Sequence, residues 1–188
     1  MDKKELRKLV RAAKGAVTLC EKLQRSEAIM HRVEGLDCFA KAETVLAYWS
    51  MDDEVQTHDF VNRWYGRKRL LLPCVEGDDL LLRQYTGPDC LRAGEQFGIG
   101  EPTGPLFTDL EAVQMIVVPG VAFDRKGNRM GRGRGFYDRL LKSTPNACKV
   151  GVAFDFQLFD SIPTEPFDVP MDVVIAETME YTDLRIDN

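Results

Sequence analysis

The beginning of the chain has apolar residues at helical spacing. They form one stripe within residues 3–16, at Leu6, Leu9, Val10 and Ala13. Basic residues occupy the other faces, so the pattern predicts an amphipathic helix. Thr18 and Glu21 have the spacing of a capping box, which predicts a second helix that ends near Gly35.

Six short apolar runs, bounded by turn residues, predict buried strands. They are residues 44–50, 69–75, 78–85, 113–119, 149–154 and 172–177. One short helix, capped by Thr57, is predicted between the first two strands, and another after Gly135. Because helices alternate with strands, we expect an α/β fold: a single three-layer α/β/α domain over residues 1–188 with a mostly parallel mixed sheet. The glycine- and proline-rich connection 87–105 is expected to be irregular and to contact a ligand.

Composition narrows the class of protein. A length of 188 residues suits one well-packed domain, and a net charge of −5 argues against a surface that coats nucleic acid. The five cysteines include no C-x-x-C pair, which disfavours a disulfide framework or a zinc site. The two histidines, His31 and His58, are expected on helix surfaces, which disfavours a histidine-rich metal site or a Ser-His-Asp triad. No apolar run resembles a secretory signal or a membrane span, so we expect a cytoplasmic protein without membrane partners. We also expect a monomer without nucleic-acid partners.

The segment 125–139, RKGNRMGRGRGFYDR, concentrates four glycines and six arginine or lysine residues in fifteen positions. The glycines permit positive φ and close approach of the backbone to a ligand. They are Gly127, Gly131, Gly133 and Gly135. Arg129, Arg132 and Arg134 add mobile positive charge suited to phosphate oxygens, and the amides that begin the next helix favour the same anion. Asp138, on the first turn of that helix, is placed to hold Mg²⁺, so the segment predicts a polyphosphate site.

The same segment allows a second interpretation. RGRG fragments occur in solvated loops and in disordered nucleic-acid-binding tails, and the spacing matches neither the dinucleotide fingerprint nor the P-loop. The flanking residues favour the phosphate site. An apolar run before the loop predicts a buried strand, while Phe136, Leu140 and Leu141 predict a packed helix after it.

Five segments, in this order along nearly the whole chain, resemble the 5-formyltetrahydrofolate cyclo-ligase family, also called 5,10-methenyltetrahydrofolate synthetases. They are KKELR (3–7), MDDEVQT (51–57), FGIGEP (97–102), VPGVAFDRKGNRMGRGRGFYDRLL (118–141) and FDVPMD (167–172). The glycine block is the most specific of them. The resemblance implies an enzyme that uses ATP and Mg²⁺ to close 5-formyltetrahydrofolate into 5,10-methenyltetrahydrofolate, with release of ADP and phosphate.

The resemblance also implies a nucleotide site. Lys3 and Arg7, one turn apart on the first helix, would face the phosphates; without the resemblance, solvated helix charge would be the favoured interpretation. The phosphate cradle would consist of Arg129, Met130, Gly131, Arg132, Gly133, Arg134, Gly135, Phe136 and Tyr137. Asp138 and Asp168 resemble the carboxylates associated with magnesium in the family, with Asp172 as a substitute for Asp168. Helix capping and turn formation are the alternative roles of these acids.

The folate site that the resemblance implies lies beside this cradle. Its residues would be Trp49, Glu54, Glu101, Arg132, Gly133, Arg134, Gly135 and Phe136. The Glu54 carboxylate would accept two N–H groups of the pterin, and Trp49 would stack on the ring. Core packing, turn solvation or a plain loop acid are the alternatives for these side chains. The family usually has two tyrosines where this chain has Phe136 and Tyr137, so residue 136 supplies no hydroxyl group.

The implied chemistry is phosphorylation of the formyl oxygen by ATP, followed by attack of the folate nitrogen N10 and departure of phosphate. It needs no protein nucleophile. Arg132 and Arg134 would be the catalytic residues, because they neutralise charge on the transferred phosphoryl group. Two other functions stay open. One is an RNA-binding module that uses the RGRG segment with Tyr137, and the other is a non-catalytic carrier of nucleotide or folate.

Overall fold

The structure, a computed structural model, describes residues 1–94 and 98–181. Phe97 of the FGIGEP segment lies outside these ranges. Within them the α-helices are α1 (Lys3–Gly15), α2 (Leu19–Glu34), α3 (Asp37–Lys41), α4 (His58–Trp64) and α5 (Phe136–Lys142). Thr18 and Glu21 form the predicted capping box at the start of α2. None of these helices has both the length and the apolar character needed to cross a membrane.

Thirteen strands, β1 to β13, are found in the same ranges. In chain order they are Thr44–Leu46, Arg69–Glu76, Asp79–Gln84, Leu91–Ala93, Gly100–Pro102, Leu106–Phe107, Met115–Val118, Ala122–Asp124, Arg129–Met130, Cys148–Val152, Leu158–Phe159, Val173–Ile175 and Glu180–Tyr181. Eight form the main sheet in the order β13-β12-β10-β7-β1-β2-β3-β6. The five strands from β12 to β2 are parallel, and the antiparallel β13, β3 and β6 lie at its two sides. The predicted mostly parallel mixed sheet is confirmed.

The sheet separates two apolar cores, which gives the predicted three layers. Val45 and Leu46, neighbours on β1, point to opposite faces because side chains alternate along a strand. Val45 packs in the core that α2, α3 and α4 cover, whereas Leu46 packs in the core that includes Leu140 and Leu141 of α5. α1 contributes Leu6 to a smaller cluster with Ala122 and Met130, so it lies beside the glycine loop.

The first strand is shorter than its apolar run. Residues 44–50 were expected to be one strand, but β1 ends at Leu46 and the chain then turns into a loop. Side chains stabilise that loop. The Thr57 hydroxyl donates to the Tyr48 carbonyl, and the Thr57 amide donates to the Ser50 hydroxyl at 3.0 Å. The prediction that the Thr57 side chain caps α4 is therefore wrong, since its hydroxyl is committed to the preceding loop.

The connection 87–105 is more regular than its composition suggests. Strands β4 and β5 pair antiparallel, with Leu91 opposite Pro102 and Arg92 opposite Glu101. Glycine and proline content favours an irregular loop, but the cross-strand pairing outweighs it here. The hairpin brings β5 against the loop that follows β1.

Candidate functional site

A cavity of about 410 Å³ opens between α1, the loop after β1, the β4–β5 hairpin and the glycine loop that joins β9 to α5. Most of the residues that the sequence analysis assigned to a ligand line it, with Gly127 and Asp172 as the exceptions. Those that line it are Lys3, Arg7, Trp49, Glu54, Glu101, Arg129, Met130, Gly131, Arg132, Gly133, Arg134, Gly135, Phe136, Tyr137, Asp138 and Asp168. The structure thus places the expected nucleotide and folate residues in one cavity of ligand-binding size.

Arg129 forms the base of the glycine loop. Its side chain is only 4% exposed, and its guanidinium donates to the Pro119 carbonyl at 3.1 Å and to Asp138 Oδ1 at 3.5 Å. The guanidinium also lies 5.5 Å from the centre of the Tyr137 ring. Burial lowers the pKa of Arg129, and the Asp138 carboxylate opposes that shift. The expectation that Arg129 is a mobile cation is therefore wrong, because three partners from other parts of the fold hold it beneath the loop.

The glycines of the loop serve different purposes. Gly133 and Gly135 have φ of 102° and 69°, which side-chain-bearing residues rarely adopt. Gly131, which was expected to share this property, does not have a positive φ. A Cβ at position 131 would lie 3.0 Å from Nη1 of Arg129, so this glycine lets the backbone pass close to the buried guanidinium. Gly127 has a positive φ in the β8–β9 turn and is not part of the cavity wall.

Two cations of α1 complete this wall. Lys3 Nζ lies 3.4 Å from Glu165 Oε1 and 3.9 Å from Asp168 Oδ2. Arg7 Nη2 donates to the Gly131 carbonyl at 3.4 Å, while its buried Nε has no hydrogen-bond acceptor among the described residues. A buried donor without an acceptor, at the wall of a cavity, is suited to an anionic ligand. Neither side chain is an ordinary solvated helix charge, since both are only partly exposed.

Arg132 reaches across the cavity to the loop after β1. Its Nη2 lies 2.9 Å from Asp53 Oδ1 and 3.1 Å from Asp53 Oδ2, and 3.5 Å from Glu54 Oε1. Asp53 also accepts from Lys14 Nζ at 3.3 Å. Sequence reasoning missed Asp53 and Lys14. The available signal was helical spacing, because the spacing that places Lys3 and Arg7 on one face of α1 extends two turns further to Lys14.

Glu54 is nearly enclosed, with 13% of its side chain exposed. Burial raises the pKa of its carboxyl above the ordinary value of 4.5, against the lowering effects of the Met51 amide and Arg132. The Met51 amide donates to Glu54 Oε2 at 2.9 Å. One oxygen is therefore fixed by the loop, and the carboxylate keeps acceptor capacity toward the cavity.

Trp49 lines the cavity beside the rings of His58 and Tyr85 and the backbone of Gly100. Its ring stacks on His58 with centroids 3.8 Å apart and planes at 9°, and a Cβ at position 100 would lie 3.0 Å from its Cδ1. His58 was expected on a helix surface, but this stack half-buries it. Nearby, Glu101 Oε1 accepts from the Val75 amide at 3.1 Å, so Glu101 is more than a solvated loop acid.

Phe136 lies between two cations at the start of α5. The guanidinium carbons of Arg134 and Arg139 are 5.9 Å and 5.5 Å from the centre of its ring. Arg139 also donates to the Arg134 carbonyl at 3.2 Å, which fixes the end of the glycine loop. Position 136 therefore stacks against cations, a role that needs no hydroxyl group.

A family model describing the 5-formyltetrahydrofolate cyclo-ligase family matches residues 1–177. The chain belongs to that family. A 5-formyltetrahydrofolate cyclo-ligase of Haemophilus influenzae is 31% identical over 183 residues, which cover 93% of this chain and 97% of that protein. A protein of the same name from Escherichia coli is 29% identical over 176 residues, covering 89% of this chain and 96% of that protein.

Solved structures agree with this cyclo-ligase assignment. The NMR structure of a 5,10-methenyltetrahydrofolate synthetase from Aquifex aeolicus is similar with a TM-score of 0.88 and 38% identity, covering all of this chain and 95% of that one. A synthetase from Mycoplasma pneumoniae has the same fold with a TM-score of 0.76 at 24% identity, over 94% of this chain and 99% of that one. The protein is thus an enzyme, a ligase of the cyclo-ligase family.

The carboxylates of this cyclo-ligase cavity do not form a metal cage by themselves. Asp138 is engaged with Arg129, and Asp168 accepts from the Glu165 amide at 2.8 Å. Among residues 1–94 and 98–181 there is no group of three or more His, Cys, Asp or Glu that could hold a metal ion. Asp172, the expected substitute, is wrong as a candidate: it accepts from the Lys149 amide at 2.7 Å and is not part of the cavity wall.

Proposed function

We propose that this enzyme closes 5-formyltetrahydrofolate into 5,10-methenyltetrahydrofolate at the expense of ATP, with Mg²⁺ bound to the nucleotide. The observation that carries the proposal is the single cavity that joins a cationic, glycine-lined wall to a wall of Trp49 and Glu54. The relatives named as cyclo-ligases support the same reaction. A reaction between a triphosphate and a flat heterocycle needs both walls within one site.

The cationic wall is proposed to hold the triphosphate. Arg7 supplies a buried donor that lacks an acceptor among the described residues, and Lys3 adds an ammonium group at the entrance. Gly133 and Gly135 shape the loop so that backbone can approach phosphate oxygens. Arg134, exposed at the loop, is proposed to contact the γ-phosphate together with Arg132.

The second wall is proposed to hold the reduced pterin. The Glu54 carboxylate can accept paired N–H groups of the pterin ring, which only its ionised form does fully. Trp49 and Phe136 offer aromatic surface to the ring. Since His58 already covers one face of Trp49, the ligand is proposed to meet the remaining surface of that ring.

In the proposed reaction the formyl oxygen attacks the γ-phosphorus, and the bond from phosphorus to the ADP oxygen breaks. The folate nitrogen N10 then attacks the activated carbon, phosphate leaves with its oxygen, and the N10 proton passes to solvent. Arg132 and Arg134 neutralise charge on the phosphoryl group, and the loop keeps the reacting atoms in line. No protein nucleophile takes part.

Asp138 and Asp168 are the proposed magnesium residues, since both line the cavity and carboxylate oxygens are the ligands that Mg²⁺ prefers. Two carboxylates suit an ion whose other ligands are phosphate oxygens and water. When bound, the ion neutralises phosphate charge. The protein would hold the ion through Asp138 and Asp168.

The decisive experiment is the absorbance of the methenyl-folate band in a mixture of purified protein, ATP, Mg²⁺ and 5-formyltetrahydrofolate. We expect the band to grow only in the complete mixture, and to stay flat when ATP is omitted or Mg²⁺ is chelated. Binding of both ligands without growth of the band would instead identify a non-catalytic carrier and contradict the proposal.

A further inference from the structure

Lys14, Asp53 and Arg132 form a row of charged groups that runs from the interior to the edge of the cavity. The Lys14 side chain is 9% exposed, whereas the side chains of Asp53 and Arg132 are 44% and 50% exposed. The Asp53 carboxylate stands between them, 3.3 Å from Lys14 Nζ and 2.9 Å from Arg132 Nη2. A buried cation thus lies at one end of the row and a cavity-lining cation at the other.

Lys14 is the buried end of the row and Arg132 is the exposed end. Lys14 is held by α1 and by its burial, and burial lowers its pKa while the Asp53 charge opposes that change. Burial acts to raise the pKa of Asp53, yet Lys14 and Arg132 together keep it below its ordinary value. A half-exposed arginine on a glycine loop would otherwise sample many rotamers, because glycine does not restrict its neighbours.

We propose that Lys14 and Asp53 are positioning residues for Arg132: Lys14 fixes the Asp53 carboxylate, and Asp53 fixes the guanidinium of Arg132 at the cavity. The row acts through Arg132 and contacts no ligand of its own. The same guanidinium lies 3.5 Å from Glu54 Oε1, so its orientation also sets the position of the acid on the pterin wall. The inference rests on the proposed function in one respect, namely that Arg132 acts on the phosphoryl group.

Kinetics of two variants measure the effect on the reaction. Asp53→Asn keeps the size of the side chain and removes the charge that holds Arg132, and Lys14→Met removes the charge that holds Asp53. Because an unoriented Arg132 still attracts phosphate but is misplaced in the transition state, kcat should fall about tenfold for Asp53→Asn, with KM for ATP changed less than about threefold. Lys14→Met should lower kcat by about threefold, and Asp53→Glu, which keeps the charge, should recover part of the loss.

Asp160→Asn is the matched control. Asp160 also makes a short ion pair, at 2.7 Å with Arg125, on an exposed surface outside the cavity wall. Its kcat should stay within twofold of the wild type. A kcat for Asp53→Asn within twofold of the wild type, or a loss that appears only in KM, would overturn the positioning role.

A second readout does not depend on turnover. Nitrogen-detected NMR measures the rotation of the Arg132 guanidinium. We expect restricted rotation in the wild-type protein at low salt and faster rotation in Asp53→Asn. Free rotation in the wild type would overturn the proposal. If the wild type forms no methenyl product but Arg132 is held as described, the proposed function fails while the Asp53 contact stands, so the two failures are distinguishable.

Discussion

The two walls of the cavity are built on different physical principles. The cationic wall depends on one buried arginine, Arg129, whose partners come from Pro119 and Asp138. The pterin wall depends on shape. Trp49 stacks on His58, and its ring fits closely against the backbone of Gly100, where a side chain would crowd it. Arg132 belongs to the glycine loop of the cationic wall and reaches Glu54 of the pterin wall at 3.5 Å.

This difference indicates how each wall should respond to mutation. A wall that stores buried charge is coupled to the free energy of unfolding, because a carboxylate left without its partner is costly inside a protein. A substitution in a wall built from packed aromatic rings should change the affinity for one substrate and little else. A substitution in the pterin wall that lowered the affinity for both substrates equally would contradict this distinction.

The largest effect is expected for Arg129→Met. The substitution leaves Asp138, whose side chain is 16% exposed, without its guanidinium partner. We expect the free energy of unfolding to fall by about 3 kcal/mol, as measured by urea denaturation. Arg125→Met, which removes a 61% exposed arginine from the same segment, should change it by less than about 0.5 kcal/mol. A loss below about 1 kcal/mol for Arg129→Met would contradict the idea of a charge-based wall.

The next effect concerns Glu54→Gln. Replacing a charge-assisted acceptor by a neutral amide should cost about 2 kcal/mol, which is about a 30-fold loss of kcat/KM for 5-formyltetrahydrofolate. KM for ATP should change less than about threefold. Steady-state kinetics with each substrate varied in turn give both numbers. An equal loss for the two substrates would argue that Glu54 belongs to the phosphate wall.

The pH profile sharpens the same test. Because burial raises the pKa of Glu54, its carboxylate takes up a proton at a higher pH than an exposed glutamate does. As the pH falls, kcat/KM for the folate should therefore decline earlier than the ordinary value of 4.5 suggests, and Glu54→Gln should lack this decline. An identical acid limb in the two proteins would assign it to another group.

Arg132→Ala tests the residue shared by the walls. We expect kcat to fall at least tenfold, or about 1.4 kcal/mol of barrier. Thermal unfolding should remain cooperative, since the side chain is half-exposed. Arg125→Ala serves as the control and should retain wild-type turnover. Unchanged turnover in Arg132→Ala would remove this residue from the mechanism.

The smallest effect is expected for Gly100→Ala. The new methyl group would lie 3.0 Å from Trp49 Cδ1 and 3.1 Å from Trp49 Nε1, and the His58 stack limits how far the ring can retreat. KM for the folate should rise about threefold, in keeping with a strain below about 1 kcal/mol. Gly66→Ala, where no atom lies within 4 Å, should leave KM unchanged. A normal KM in both variants would mean that the Trp49 ring has room to move.

The glycine segment and the positions of six strands along the chain could be predicted from the sequence, because both depend on local patterns. These strands are β1, β2, β3, β7, β10 and β12. The burial of Arg129 could not be predicted, since it depends on a carbonyl at Pro119 and a carboxylate at Asp138 that only the folded chain brings together. For the same reason Asp53 resembled an ordinary acidic turn. The apolar runs predicted that each parallel strand exists but not where it ends. In β1, loop hydrogen bonds replace the strand pairing after Leu46.

The contact between Arg7 and the Gly131 carbonyl joins positions 124 residues apart. At a synthesis rate of about 5 to 20 residues per second, α1 leaves the ribosome about 6 to 25 seconds before the loop that it must meet. During that interval the helix exposes both its apolar stripe and its uncompensated cations to the cell.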